Sequence, residues 1–371
     1  MKMKKMVAVV VSLIFAFSLV ACGGNNAAND NKGSEDKATV APAASQAAET
    51  PAASQDTSAT SGKKVGLVQI NNTNSYYIGA SKAFHEGAEK YGITLDEQFC
   101  ENSLEKEISI IENFIELKYD VIIADPQDAE ALEDVFQKGK DAGIKMVALR
   151  SPMKNADYNC LISHYDGFYG ATIAGCELIG GKGKVLLLEG QIGHEASDSR
   201  TKAFKEVVAK YPDIEVVDQQ PCDWDPTKAT NIVESWVTEY GDSVDAIFCE
   251  TDGATPSVVN AIANAGLTGK VHVIGNDGEN ECLENMKEGL IDVEAFFGSV
   301  RDGANCMAYV DAILRGVDVE KTVYLPLYTA CSKELQAKVT AVDPKVNVCT
   351  PEEALDKAAN YNDEFVGAYD K

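Results

Sequence analysis

The chain has 371 residues, with 33 Lys or Arg against 58 Asp or Glu, and its formal net charge is −25. A hydrophobic fraction of 45% can build folded cores, so a wholly disordered chain is excluded. The acidic surface repels phosphate backbones and anionic headgroups, so we expect no nucleic-acid partner and no membrane attachment through a basic patch. The length allows two domains of ordinary size.

The amino-terminal segment has the pattern of a secretion signal. Three of the first five residues are lysine, an apolar run follows over 7–17, and Leu-Val-Ala-Cys stands at 19–22. The ending resembles a bacterial lipobox, which predicts a signal peptide over 1–21 and lipid attachment at Cys22. An ordinary signal peptide with an incidental cysteine is the alternative. Residues 22–63 are rich in small and polar residues and predict a flexible linker behind the lipid anchor.

Nine further cysteines follow Cys22, and an odd number cannot all pair within the chain. No two of them show the C-x-x-C spacing of zinc and thioredoxin-like sites. We expect no cofactor and no metal. Free thiols outside the cytoplasm suggest a reducing or anaerobic habitat.

From residue 64 onward, short β-rich runs alternate with helical stretches. The predicted strands are Val65–Ile70, Ile93–Phe99, Val121–Ala124, Lys145–Leu149, Val185–Glu189, Ile214–Gln219, Ala246–Cys249, Val271–Ile274 and Ile291–Phe297. This alternation predicts an α/β fold with parallel sheets and helices on both faces. Strands one to four and five to eight form two similar series with a break near 163–167, which favours two doubly wound lobes.

Polar and aromatic residues concentrate just after the predicted strands, where open parallel sheets bind ligands. The candidate ligand-binding residues, in chain order, are Asn74, Tyr76, Tyr77, Arg150, His194, Arg200, Trp224, Thr251, Asp277 and Phe297. Planar donors and carboxylates can satisfy adjacent hydroxyl groups, and aromatic rings can cover the apolar face of a sugar. The set therefore favours a polyhydroxyl ligand in a cleft between two sheets.

Several segments together resemble a known family. They are Asn74-Ser75-Tyr76-Tyr77, Asp125-Pro126-Gln127-Asp128, the stretch 193–201, Asp223-Trp224-Asp225, and the strand 273–277 that ends in Asp277. Over residues 64–330 the chain is similar to the type I substrate-binding proteins of ABC transporters, particularly the ribose, galactose and glucose-binding group. The resemblance implies two lobes, 64–165 plus 299–326 and 166–298 plus 327–371, joined by a three-crossing hinge. It also implies a membrane-anchored monomeric receptor that delivers a monosaccharide to an ABC permease.

Carried onto this sequence, the resemblance implies that Tyr76 and Trp224 sandwich a pyranose ring. Hydroxyl groups of the sugar would be held by Asn74, His194, Arg200 and Asp277, with Thr251 at a position that is usually polar. The chain departs from the family at Ala196, at Phe297 and at Arg150. The turn 180–184 also lacks the carboxylates with which some members bind calcium.

Arg150 has two interpretations from sequence. It is either the ion-pair partner of Asp277 or Asp125, or it joins Arg200 in clamping an acidic sugar such as a uronate. Transport, presentation of the ligand to a chemoreceptor or histidine kinase, and a non-sugar polar ligand all remain open. No enzyme motif of the G-x-S-x-G, H-E-x-x-H or P-loop type occurs, so we expect no enzyme.

Overall fold

A computed structural model describes residues 59–370. The predicted signal peptide, the lipid-attachment residue Cys22 and most of the predicted linker lie outside these residues. Between residues 59 and 370, no helix is long and apolar enough to cross a membrane.

The first of two sheets follows the amino-terminal half of the described chain. Its strands are β1 (Lys64–Gln69), β2 (Thr94–Phe99), β3 (Val121–Ala124), β4 (Lys145–Arg150), β5 (Tyr158–Leu161) and the late strand β11 (Thr322–Tyr324), in the order β11-β5-β4-β3-β1-β2. All its strand pairs are parallel. Strand β3 has the sequence Val-Ile-Ile-Ala and is buried throughout. Such continuous apolar strands are typical of a parallel sheet with helices on both faces.

The second sheet repeats this arrangement. Its strands are β6 (Lys182–Glu189), β7 (Asp213–Pro221), β8 (Ala246–Cys249), β9 (His272–Asp277), β10 (Val293–Phe296), β12 (Tyr328–Ala330) and β13 (Val348–Cys349), in the order β13-β12-β10-β9-β8-β6-β7. The β10–β12 pair is antiparallel, and the other pairs are parallel. The first five strands of each sheet have the same spatial order, so the α/β prediction of two doubly wound lobes is confirmed.

The helices cover both faces of the two sheets. They are α1 (Ser75–Tyr91), α2 (Leu104–Glu116), α3 (Glu133–Asp141), α4 (His164–Leu178), α5 (Glu195–Val208), α6 (Pro226–Tyr240), α7 (Thr255–Asn264), α8 (Asn280–Lys287), α9 (Ser299–Arg315), α10 (Lys333–Val342), α11 (Pro351–Ala359) and α12 (Tyr361–Glu364). Helices α1 and α9 pack against each other on the first sheet, and α4 packs against α5 and β10 on the second. Helix α9 therefore returns to the first lobe after the chain has built most of the second.

The carboxyl-terminal tail differs from the sequence prediction. The sequence predicts residues 327–371 in the second lobe, whereas the structure returns residues 361–370 to the first. Tyr361 and Phe365 are buried in the core formed by α1 and α9. Lys90 of α1 donates a hydrogen bond to the carbonyl of Asn362 at 2.7 Å. The apolar spacing of this tail shows that it packs, but not which lobe it packs on.

Arg301 joins the segments that cross between the lobes. Its fully buried guanidinium donates to the carbonyls of Phe297 at 2.7 Å and Pro326 at 3.0 Å, which lie in two different crossings. Its Nε and Nη2 donate to the Glu364 carboxylate of the returning tail at 2.7 and 2.6 Å. One side chain on α9 thus fixes three separate segments relative to one another.

All nine cysteines of the described residues are buried and free. They are Cys100, Cys160, Cys176, Cys222, Cys249, Cys282, Cys306, Cys331 and Cys349. Most of them fill small apolar positions in the cores of the two lobes.

Candidate functional site

A cavity lies where the carboxyl ends of the strands of the two sheets face each other. The space between its lining atoms amounts to about 450 Å³, which includes solvent at the mouth of the cavity. Its lining residues are Asn74, Tyr76, Tyr77, Asp125, Arg150, Ser151, His164, His194, Ala196, Arg200, Trp224, Thr251 and Asp277. Almost all of them follow a strand or begin a helix, as the strand-end argument predicts.

The structure brings nine of the ten predicted site residues to this cavity. Phe297 is the exception. It is fully buried behind the cavity, with its ring 6.0 Å from that of Tyr76 and 6.4 Å from that of His164. Its place is therefore to support lining side chains from behind.

Four lining residues were not among the predicted ligand-binding residues: Asp125, Ser151, His164 and Ala196. Asp125 and Ser151 directly follow β3 and β4, so their strand-end position was the available signal. His164 begins α4 directly after the chain leaves the first sheet. Its position at a crossing between lobes was the signal that sequence reasoning missed.

Arg150 is held by the protein on all three of its nitrogens. Nη1 donates to Asp125 Oδ2 at 2.7 Å, Nε donates to Asp302 Oδ2 at 2.7 Å, and Nη2 donates to Gln69 Oε1 at 3.0 Å. The side chain is 5% exposed, so these charges interact in a desolvated place. The ion-pair interpretation is therefore the one the structure shows, with Asp125 as foreseen and with Asp302 in addition.

The rings of Tyr76 and Tyr77 also lie against Arg150. Its guanidinium carbon lies 4.9 Å from the ring centre of Tyr76 and 5.2 Å from that of Tyr77. The hydroxyl of Tyr76 donates to Asp302 Oδ2 at 3.2 Å. Arg150 itself has a backbone φ of 64°, an uncommon conformation that its three hydrogen-bond partners hold in place.

Arg200 plays the corresponding part in the second lobe. Its Nη2 lies 3.2 Å from Asp277 Oδ1 and 3.1 Å from His164 Nδ1, and Nη1 donates to the carbonyl of Glu250. Asp277 is held further by the Thr251 hydroxyl at 3.1 Å. Burial raises the pKa of Asp277, and the charge of Arg200 opposes this shift.

An uncommon backbone conformation brings Trp224 to the cavity. Asp223 and Trp224 have φ values of 53° and 57°, which turn the indole back over the end of β6. A Cβ on Gly190 would lie 1.9 Å from Trp224 Cη2, so only glycine lets the ring take this place. The ring meets His194 edge-on at 5.6 Å.

Three buried polar atoms of lining residues have no hydrogen-bond partner among residues 59–370: His194 Nε2, Arg200 Nε and Trp224 Nε1. Arginine Nε and indole Nε1 always carry a hydrogen. His194 Nδ1 accepts from the Ala196 amide at 3.3 Å, so in the neutral ring the hydrogen is on Nε2. Burial lowers the pKa of His194, which favours this neutral form. The cavity thus presents three donors that need acceptor oxygens.

The carboxylates around the cavity outnumber its two arginines. Arg150 faces two carboxylates, Asp125 and Asp302, and Arg200 faces Asp277. Burial lowers the pKa of His164 well below its ordinary value, and the Arg200 charge acts in the same direction, so this histidine adds no positive charge. No surplus positive charge is left for an anionic ligand.

The two lobes touch across the cavity in this structure. Ser151 of the first lobe donates to Glu195 Oε2 of the second at 3.2 Å. A Cβ on Gly253 would lie 2.7 Å from Asn74 Nδ2, so the absence of a side chain there lets the lobes approach. The side-chain oxygen Oδ1 of Asn74 caps α1 by accepting from the Tyr76 amide at 2.9 Å. The lobes are therefore close together around the cavity.

The family of this fold is known. The family model of the periplasmic binding protein domain matches residues 65–317, so the chain belongs to that family. The family consists of solute-binding proteins rather than enzymes. The resemblance to type I substrate-binding proteins of the ribose group is confirmed.

Individual relatives agree with this assignment. The chain is 27% identical over 268 residues to a xylitol-binding protein of Mycolicibacterium smegmatis, which covers 71% of this chain and 76% of that protein. It is 28% identical over 272 residues to a putative rhizopine-binding protein of Rhizobium meliloti, with coverages of 67% and 88%. A solved solute-binding protein of Actinobacillus succinogenes with bound D-allose superposes with a TM-score of 0.69 at 26% identity, covering 74% of this chain and 99% of that one.

A buried acid below the Asp125 loop predicts a pH-dependent stability. Glu107 is fully buried, and desolvation raises its pKa to about 8, although the Gln127 amide at 3.3 Å favours the charged form. A carboxyl pKa that is raised on folding contributes stability that is complete below pH 4.5 and is lost as the pH rises toward 8. We expect the free energy of unfolding of the wild type to fall by up to about 4 kcal/mol between pH 5 and pH 8. Glu107→Gln is expected to remove this fall.

Urea unfolding at pH 5, 6.5 and 8 measures this difference directly. Exposed Glu112 on the same helix provides the control, because Glu112→Gln leaves the pH profile of the wild type unchanged. Parallel pH profiles for wild type and Glu107→Gln would contradict the assignment of the shift to Glu107.

Proposed function

We propose that this protein is the solute-binding component of an ABC importer and that it captures a neutral monosaccharide or polyol between its two lobes. The observation that carries the proposal is the set of three donors in the cavity without protein partners, on His194, Arg200 and Trp224. Hydroxyl oxygens of a sugar can accept from all three. The relatives named for xylitol and D-allose bind compounds of this kind.

Apolar contacts support the same ligand class. Tyr76 and Tyr77 come from the first lobe and Trp224 from the second, so aromatic rings lie on both sides of the cavity. Such rings can cover the C–H faces of a sugar while the donors hold its hydroxyl groups. Asp277 and Asp125 offer carboxylate oxygens that accept from ligand hydroxyls.

The charge balance favours a neutral ligand over an acidic one. An anion would lie near Asp125, Asp302 and Asp277, and the only lining cations already pair with these carboxylates. Displacing one of these buried pairs leaves a carboxylate uncompensated, which is costly in a desolvated site. The proposed clamp of Arg150 and Arg200 on a uronate therefore has less support than a neutral sugar.

We propose that binding proceeds by closure of two lobes, the first formed by 64–165, 299–326 and 361–370 and the second by 166–298 and 327–360. The ligand contacts residues of both lobes, and therefore has a higher affinity for the closed state than for the open one. This difference in affinity shifts the equilibrium toward the closed state. The permease then distinguishes closed from open protein, the hinge mechanism attributed to periplasmic binding proteins. The contacts Ser151–Glu195 and Asn74–Gly253 are those that closure would form.

A thermal-shift screen of refolded protein tests the ligand class. The panel contains pentoses, hexoses, pentitols and inositols, with uronates, sugar phosphates and amino acids as controls. A ligand at about 100 times its Kd adds roughly 2.7 kcal/mol, which raises the Tm by a few degrees. We expect hits among neutral sugars or polyols. Hits confined to amino acids or to anionic compounds added as controls would overturn the proposed class.

The two tryptophans of the chain allow a matched test of the site. Trp224 lines the cavity, whereas Trp236 is buried in the second-lobe core with its Nε1 bonded to Asp218 at 2.6 Å. We expect Trp224→Phe to weaken binding of the best ligand about tenfold, since one hydrogen bond is lost, and to abolish the ligand-induced change in tryptophan fluorescence. Trp236→Phe keeps both the affinity and the fluorescence change. The opposite pattern would place the ligand elsewhere.

We further propose that lipid on Cys22 anchors the protein outside the cytoplasm. The support is the basic start, the apolar run over 7–17 and the Leu-Val-Ala-Cys ending. In a bacterial host that processes lipoproteins, Cys22→Ser is expected to move the protein from the membrane fraction to the soluble extracytoplasmic fraction or to leave it unprocessed. Unchanged membrane association and an intact mass without acyl groups would contradict the anchor.

A further inference from the structure

A cluster of acids and one thiol lies inside the second lobe, apart from the residues that line the cavity. Asp252 follows β8, Cys282 is on α8 and Glu294 is on β10, and all three are buried. One oxygen of each carboxylate and the cysteine Sγ lie within 4.8 Å of one another. The sequence shows no sign of this group because its members come from three distant segments.

The carboxylates of this cluster lie against one another and have few of the donors that buried charges need. As an ionised group, Glu294 accepts no hydrogen bond among residues 59–370, and its polar neighbour is Asp252, which also lies beside the Cys282 thiol and the Thr255 hydroxyl. Asp252 Oδ2 accepts from the Glu279 amide at 2.7 Å. An unpaired carboxylate buried without hydrogen bonds costs several kcal/mol, so either protons or a cation must compensate these groups.

The backbone around Glu294 makes room for its carboxylate at this place. Glu294 pairs with Gly275 of the adjacent strand β9, and a Cβ on Gly275 would lie 1.9 Å from Glu294 Oε1. Any residue with a side chain at 275 would therefore push the carboxylate away from Asp252 and Cys282. A glycine within a buried strand often marks such a close approach.

We propose that Asp252, Cys282 and Glu294 bind one zinc ion inside the second lobe. Each of the three residues supplies one donor atom, and one water molecule would complete the four donors that tetrahedral zinc takes. The thiolate selects a soft or borderline cation, whereas calcium requires six to eight oxygen ligands. Donors around tetrahedral zinc are about 3.5 Å apart, so the cluster closes on an ion with side-chain movements of about 1 Å.

The proposed ion lies one contact behind the ligand cavity. The Asp252 backbone N–H donates to Asp277 Oδ2 at 3.0 Å, and Asp277 in turn faces Arg200. Zinc at Asp252 would fix the loop that follows β8 and with it the position of this lining carboxylate. The ion has a structural role here and does not contact the transported solute.

The test uses chelator-treated full-length protein titrated with Zn²⁺ and, separately, with Co²⁺. We expect one equivalent of Zn²⁺ to bind and Co²⁺ to give a thiolate-to-metal absorption band. Cys282→Ser abolishes the band, and Glu294→Gln weakens zinc binding at least tenfold. Cys176→Ser, a buried cysteine on α4 of the same lobe, keeps both signals.

Two results would overturn the proposal. One is wild-type protein that takes up no zinc at pH 8. The other is zinc uptake that Cys282→Ser and Glu294→Gln leave unchanged. Either result would show that Asp252 and Glu294 share a proton instead. If Cys282→Ser does not fold, Glu294→Gln together with the wild-type Co²⁺ spectrum still decides between the two.

Discussion

The ion pairs of Arg150 with Asp125 and Asp302 are the constraint on which the rest of the site depends. They bring together the ends of β3 and β4 and a residue of α9, a helix that enters the first lobe only after the second has been built. A buried arginine is stable there only with both carboxylates in place. The same pairs hold Tyr76 by its hydroxyl and lie against both tyrosine rings. They also use up the positive charge that an acidic ligand would need.

The second lobe supplies the complementary half of the site. Arg200 is fixed by Asp277, by His164 and by a backbone carbonyl, yet its Nε still lacks a partner, as do His194 Nε2 and Trp224 Nε1. The first lobe thus offers aromatic faces and a neutralised arginine, and the second offers donors held in fixed directions. A ligand with several hydroxyl groups and an apolar ring face satisfies both lobes at once. In the proposed mechanism, the ligand favours closure of the hinge because only the closed state provides both sets of contacts.

Much of the fold and of the cavity could be predicted from the sequence, for identifiable reasons. The nine predicted strands are all present. The central ones are apolar runs buried on both faces, whereas β2 and β7 are half-buried strands at the sheet edges. The strand-end rule placed nine of ten candidates at the cavity. Strands β5, β11, β12 and β13 were not predicted, since they are two to four residues long and carry no clear period. Asp302 could not be foreseen as the partner of Arg150, since it lies within a helix and only tertiary packing brings it there. The Asp252–Cys282–Glu294 cluster was invisible for the same reason.

The central claim is that the cavity accepts a neutral polyhydroxyl compound because its arginines are already paired. Calorimetric comparison of one neutral sugar or polyol with its own carboxylic acid, at the same pH and ionic strength, tests this most directly. We expect the neutral compound to bind at least tenfold tighter, a difference of about 1.4 kcal/mol. Tighter binding of the acid would contradict it, since that result requires Arg150 or Arg200 to leave its carboxylate partner for the ligand.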